Sequence, residues 1–250
     1  MLTKKIAKYI QSLSYKKFRD EEKSFIAEGP KVVEEFLTTK KFNCEIIVAE
    51  RDWLVNHQLL LSGMDPNMVF EVEPNRLQSI SLLKTSNKVL GVFKQLSGND
   101  APPLAGKITL MLDDLQDPGN MGTIIRIADW FGIDQMVCSH NSVECYNPKV
   151  VQSTMGSLAR VSIFYTDLFS FLQNNKGVSL YTAALEGDSV FEMGNIKKGV
   201  IMIGNESKGI HSELFQLATH KITIPRFGNA ESLNAAVATG IILSHIAVKK

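Results

Sequence analysis

From Lys107 onward, six β-rich runs alternate with segments able to form helices, and that alternation narrows the fold more than any other feature of the sequence. The runs are KITLMLDDL, DQMVCS, RVSIFYT, VSLYTAA, GVIMIGN and KITIP; one helical segment begins at Pro118 and the last is SLNAAVATGIILSHIAVKK. Parallel strands need crossovers, usually helices, so this order predicts an α/β fold with a mostly parallel, doubly wound sheet.

The stretch Ser97 to Gly106, SGNDAPPLAG, separates two apolar-patterned regions with two glycines and two prolines, and reads as a linker. Before it, helix signals at Pro30 (PKVVEEFLTTK) and Pro74 (PNRLQSISLL) alternate with short β-rich runs at EIIVAE, VFEV and VLGVF. The expected organisation is a small α/β domain over 1–96, a linker over 97–106 and a larger α/β domain over 107–250.

A content of 44% apolar residues can supply real cores. The longest apolar stretches are too short to span a bilayer, and Met1 to Ile10 carries charges where a signal peptide would be apolar. The expectation is a soluble, cytoplasmic protein with no membrane partner. Cys44, Cys138 and Cys145 make an odd, unspaced set, which argues against a disulfide framework. The five histidines and these cysteines form no recognised zinc set, Cys138-x-His140-x4-Cys145 being the nearest approach, so no metal is expected.

Bulk charge is balanced, at 27 basic against 26 acidic residues, yet its distribution is not. Residues 1–99 hold 15 Lys and Arg against 12 Asp and Glu, whereas 100–250 hold 12 against 14. Six basic groups, Lys4, Lys5, Lys8, Lys16, Lys17 and Arg19, precede the first acid. That cluster suits an RNA phosphate backbone, and it equally describes a solvated helix face.

Parallel sheets bind ligands at loops leaving the carboxyl ends of strands, and three such loops are rich in Gly, Asn and charge. In DDLQDPGNMGTIIRIADWFG, residues 113–132, Pro118 and Gly119 turn the chain into a helix carrying Asn120 and Arg126. Six positions put these two about 120° apart around the helix. Asn120 could cap the helix, but a cap does not explain Arg126, a charge among Ile124, Ile125, Ile127 and Ala128 that calls for a partner. In IMIGNESKGIH, residues 201–211, Gly204 and Gly209 have phosphate-loop separation, yet Ile210 and His211 stand where Lys and Ser/Thr are required. Nucleoside triphosphate binding is therefore disfavoured, and no G-x-G-x-x-G supports a dinucleotide site. GNMG at 119–122 matches the short K-homology loop but follows a strand. In IPRFGNAESLNAAVATG, residues 224–240, a helix is expected near Ser232 as cap, which leaves Asn234 in the first turn unexplained.

In order and spacing, these loops resemble the three motifs of the SpoU/TrmH family of RNA ribose 2′-O-methyltransferases, within the SPOUT class. The residues are Asn120 and Arg126; Gly204, Asn205, Glu206 and Gly209; and Ile224-Pro225 followed by Ser232-Leu233-Asn234-Ala235. Ala236 departs from a Ser found in many members. FIAEGPKVVEEFL at 25–37 and LLKTSNKVLGVFK at 82–94 look like that family's amino-terminal substrate-binding domain.

The resemblance implies a carboxyl-terminal trefoil knot that binds S-adenosylmethionine, a structured RNA substrate (rRNA, with tRNA the lesser expectation) and a homodimer formed through the carboxyl-terminal domain. It implies attack of a ribose 2′-hydroxyl on the sulfonium methyl, with Asn120, Arg126, Glu206 and Asn234 as catalytic residues. Arg126 would activate the hydroxyl or position a phosphate, since an arginine is a poor base in water. Asn120 would orient Arg126 or the ribose, while Glu206 holds the arrangement or pairs with a basic group. The cofactor would lie against Ala183 after the fourth β-run, Gly204, Asn205, Ile224, Ser232 and Leu233. The alternative is a catalytically inactive SPOUT protein that only binds RNA, against which the four catalytic residues speak.

Overall fold

A computed structural model describes residues 1–96, 104 and 106–247. Most of the expected linker, 97–106, therefore lies outside the described residues. The chain divides into two compact units, Met1–Gly98 with Glu144–Arg160, and Asn99–Val143 with Val161–Lys250.

The first unit runs α1 (Lys4–Ser12), α2 (Lys16–Glu22), β1 (Ser24–Glu28), α3 (Pro30–Thr39), β2 (Cys44–Ala49), α4 (Arg51–Asn56), α5 (Gln58–Leu61), β3 (Val69–Glu71), α6 (Pro74–Gln78) and β4 (Val89–Lys94). Its sheet has the order β1-β4-β2-β3, antiparallel except for β2 with β3. Ile10 and Leu13 of the amino-terminal helical region pack with Ile26, Val48, Leu90 and Val92 on one face.

The segment Glu144–Arg160, with its short helix α8 (Pro148–Ser153), belongs to this first unit although the sequence places it inside the 107–250 region. Long-range contacts explain the grouping. Tyr146 stacks on Phe25 at 4.7 Å, its hydroxyl accepts from the Leu96 amide at 3.2 Å, and Arg160 pairs with Glu35. Gly156, at φ +95°, allows this: a Cβ there would meet the Glu35 side chain at 2.7 Å.

The second unit contains β5 (Ile108–Leu112), α7 (Pro118–Trp130), β6 (Gln135–Ser139), β7 (Ser162–Thr166), α9 (Leu168–Asn174), β8 (Leu180–Ser189), β9 (Gly199–Ile203), α10 (Ser212–Gln216), β10 (His220–Thr223) and α11 (Ala235–Ile246). Six strands in the order β10-β8-β9-β5-β6-β7 all pair in parallel, as the alternation predicts. Leu110, Met111 and Leu112, and Ile201 and Met202, are buried on both faces of the sheet, which is why these strands read as unbroken apolar runs. Because every strand is parallel, the ends of β5, β9 and β10 emerge at the same edge.

Candidate active site

Three loops of the second unit leave that edge and become α7, the 204–211 turn and α11. Asp117 caps α7, accepting from the Asn120 amide at 2.7 Å, with Pro118 at the first helical position. The cap is thus Asp117, and Asn120, one turn in, has its side chain free for other work.

The 204–211 turn is built by its own amides. Asn205 and Gly209 exchange backbone hydrogen bonds of 3.0 and 2.9 Å. Asn205 Oδ1 accepts from the Ser207 and Lys208 amides at 2.9 and 3.0 Å, and its Nδ2 donates to the Asp114 carbonyl at 2.8 Å. Gly204 is required within the turn itself, since a Cβ would lie 2.5 Å from the Gly209 carbonyl carbon. Glu206 does not enter a helix: α10 begins only at Ser212, and Glu206 stands on the turn, half-buried.

The third loop corrects the expected cap. Helix α11 starts at Ala235, and Asn234 is its N-cap, with Oδ1 accepting from the Ala236 and Val237 amides at 3.0 and 3.2 Å. Ser232 lies outside the helix, exposed. Both Ser and Asn cap well, so composition did not decide between positions two apart; the extended backbone of Asn234, at φ −55° and ψ 138°, does.

Capping has a consequence for chemistry. With its oxygen held by α11, Asn234 must present Nδ2 outward, and that group donates to Asn120 Oδ1 at 2.8 Å. Asn120 is thereby oriented too, and its Nδ2 donates to Glu206 Oε1 at 2.6 Å. Three residues from three loops form one hydrogen-bonded chain of fixed polarity, ending on a carboxylate.

Arg126 does not join it. The arginine lies on an exposed stripe of α7 with Thr123 and Trp130, while Ile124, Ile125 and Ala128 face the core. It makes no hydrogen bond or ion pair among the described residues, so the partner expected from its apolar neighbours is replaced by solvent.

The sequence reading missed Asp113 and His211. Asp113 is buried at the end of β5, and its Oδ2 takes both the His211 amide and its Nδ1, each at 2.8 Å. The hydrogen bond to Asp113 and that carboxylate's charge push the exposed imidazole's pKa up. Next to it, Asp114 adopts φ +54° and donates its amide to Ser139 Oγ at 2.8 Å. Nothing in the linear spacing of 113 and 211 signals this clasp; only strand adjacency creates it.

Of the residues assigned to a cofactor, Ala183 lies inside β8, which continues to Ser189 rather than ending at residue 184. Beside it, the buried Thr182 Oγ1 has no hydrogen-bond partner. Ile224 is half-buried and Leu233 is exposed, leaving apolar carbon at the loop edge uncovered by the chain itself. An unsatisfied hydroxyl and bare apolar walls beside polar backbone fit a nucleoside-bearing cofactor. Asn205, by contrast, spends both amide atoms within the protein. Among the described residues, no group of three or more His, Cys, Asp or Glu is arranged to hold a metal ion.

In the amino-terminal cluster, Lys4, Lys5, Lys8, Lys16 and Lys17 are exposed, but Arg19 is only 2% exposed. Its Nη1 donates to the Leu13 and Ser14 carbonyls at 2.8 Å each, and its Nη2 pairs with Glu144. Arg19 therefore cannot contact RNA as expected: it satisfies carbonyls orphaned at the end of α1.

Residues 107–244 match the SpoU rRNA Methylase family, and residues 4–91 match the MRM3-like substrate binding domain. The chain is 28% identical to the 23S rRNA (guanosine(2553)-2'-O)-methyltransferase RlmP of Bacillus subtilis (strain 168), over 94% of this chain and 93% of that protein. Among solved structures, a putative RNA methyltransferase of the TrmH family from Porphyromonas gingivalis is 33% identical with a TM-score of 0.86, covering 99% of this chain and 98% of that one. The AdoMet-bound rRNA methyltransferase from Sinorhizobium meliloti is 32% identical with a TM-score of 0.83, covering 98% and 95%. With its parallel α/β sheet, its amino-terminal unit and its three strand-end loops, the chain belongs to the SpoU rRNA methylase family.

Proposed function

We propose that this chain transfers a methyl group from S-adenosylmethionine to a ribose 2′-hydroxyl of ribosomal RNA. The observation that carries the reading is the oriented chain Asn234–Asn120–Glu206, which joins the three strand-end loops of a SpoU family member. The names of the B. subtilis and S. meliloti relatives support the substrate and the methyl donor.

S-adenosylmethionine supplies the electrophilic methyl group when bound. Ala183, Gly204, Ile224, Ser232 and Leu233 would hold it, with Thr182 Oγ1 as an added polar contact, whereas Asn205 is committed to building the turn. Glu206 receives the ribose hydroxyl on its second carboxylate oxygen, because Oε1 is taken by Asn120. Asn120 and Asn234 keep that carboxylate in place. Arg126, exposed and without an internal partner among the described residues, clamps an RNA phosphate and so positions the ribose hydroxyl.

The knotted carboxyl-terminal topology of the family and a homodimer complete the reading. Helices α7 and α11 pack together and expose Trp130 (83%) and Val237, an apolar surface that suits a second copy. Such a dimer places the active site close to the subunit boundary. No helix among the described residues is long and apolar enough to cross a membrane, and we place the enzyme in the cytoplasm with its RNA.

Mapping ribose methylation across total RNA, with and without the protein, tests the proposal. One rRNA nucleotide should lose its 2′-O-methyl group in cells lacking the protein, and purified protein with labelled donor should restore it. Label on a base, or on no RNA despite proven cofactor binding, overturns it.

A further inference from the structure

Two exposed aromatic side chains at the amino-terminal end of the first unit have no role in the chemistry above. We propose that Tyr15 and Phe18 form a stacking platform for an unpaired RNA base, with Lys16 and Lys17 holding the flanking phosphates. This deepens the reading of the chain as an enzyme acting on RNA and rests on it.

Tyr15 is 67% exposed and Phe18 37%. Their rings lie 6.4 Å apart, edge to face, and Lys17 Nζ sits 6.0 Å from the Phe18 ring centroid. An isolated surface aromatic needs no explanation, but this pair is displayed by a constructed turn. Arg19 holds the carbonyls of Leu13 and Ser14, the two residues before Tyr15, and is itself held by Glu144 and, through its own carbonyl, by Gln95 Nε2 at 3.0 Å. Burying a guanidinium is expensive, and here it fixes a turn whose surface consists of Tyr15, Lys16, Lys17 and Phe18.

Charge selects the occupant. Lys4, Lys5 and Lys8 are exposed on α1, and no acid occurs before Asp20. The only acid reached by Lys16 or Lys17 among the described residues is Glu21, 3.9 Å from Lys17 Nζ in an exposed pair that contributes little. An exposed aromatic pair flanked by Lys16 and Lys17 matches a polyanion with flat apolar faces, and those faces are available only where bases are unpaired. An apolar protein surface would instead strip water from Lys16 and Lys17.

The test compares two RNAs of equal length with the whole protein: a hairpin whose loop carries 2-aminopurine, and a fully paired duplex. Tyr15→Ala should weaken hairpin binding about ten-fold and abolish quenching of the 2-aminopurine, while duplex affinity stays within two-fold. Tyr15→Phe, which keeps the ring, should behave as the native protein. Lys16→Gln with Lys17→Gln should flatten the salt dependence of both RNAs by roughly 0.7 to 0.9 per phosphate lost. Equal affinities of Tyr15→Ala and native protein for the hairpin overturn the proposal, as does an equal loss on both RNAs. A change of native mass on Tyr15→Ala substitution would reassign the patch to self-association and also overturn it. Binding is read directly, so failure of methyl transfer in the native protein would sink the function while leaving this result interpretable.

Discussion

Arg19 in the first unit and Arg126 in the second carry the same guanidinium in opposite surroundings. Arg19 is walled in, with two carbonyls and a carboxylate on its fork, and a charge so placed maintains structure. Arg126 is open to solvent with no internal counter-charge among the described residues, and a charge so placed is available to a ligand. Proximity in sequence to other cations says nothing about which case applies. Burial does.

The largest effect should come from breaking the enclosed case. Arg19→Ala leaves Glu144 and two carbonyls without their donor, at a cost of about 3–5 kcal/mol. A drop in Tm of roughly 10 °C is expected by calorimetry. Arg19→Lys should recover only part of it, since a point charge cannot serve three acceptors in a planar fork. A loss below 1 kcal/mol would erase the contrast between the two arginines.

Arg126→Ala sharpens the comparison from the other side. Stability should stay within about 0.5 kcal/mol, as for other surface changes, while methyl transfer falls roughly 100-fold from lost positioning. Donor affinity, by calorimetry, should be unchanged. A donor affinity that falls in step with the rate would place Arg126 in the cofactor pocket instead.

Asn234 combines both kinds of duty in one side chain. Asn234→Ala removes the α11 cap, costing about 1 kcal/mol, and frees Asn120 to flip. Asn234→Asp keeps the capping oxygen but turns the donor facing Asn120 into an acceptor. Its melting temperature should match the native protein while turnover falls as far as in the alanine variant. Turnover retained in Asn234→Asp would show that the amide chain has no catalytic part.

His211 lies between the extremes, exposed yet bonded to buried Asp113, and should give the smallest effect. Its folded-state pKa is raised above the ordinary 6.5, so the clasp's stabilisation is fully present below pH 6.5 and fades as pH climbs through the higher folded value. Melting curves of native protein and His211→Gln should therefore differ most below pH 6.5 and converge as pH rises through the raised folded-state value. A gap that widens with rising pH would contradict the assigned sign.

Much of the second unit is legible in the sequence because parallel strands buried on both faces leave long apolar runs, and because Pro118 announces α7. Asn120, Glu206 and Asn234 are legible as a motif, and the structure brings them into contact. What escapes is whatever depends on distant partners. Arg19 looks like part of a basic run because Glu144, its counter-charge, is 125 residues away. The grouping of Glu144–Arg160 with the first unit rests on Tyr146 finding Phe25, and the Asp113–His211 clasp on β5 lying beside β9. Ser232 and Asn234 compete as caps on equal chemical terms, so local propensity alone does not separate them.

The amide chain also bears on the order of events during synthesis. Its polarity originates in the backbone amides of Ala236 and Val237, and is passed through Asn234 and Asn120 to Glu206. A nascent polypeptide halted just before Ala236 already carries all three side chains, yet nothing dictates which way either amide faces. The facing of both amides, and with it the donor presented to Glu206, is therefore set only when the first turn of α11 forms.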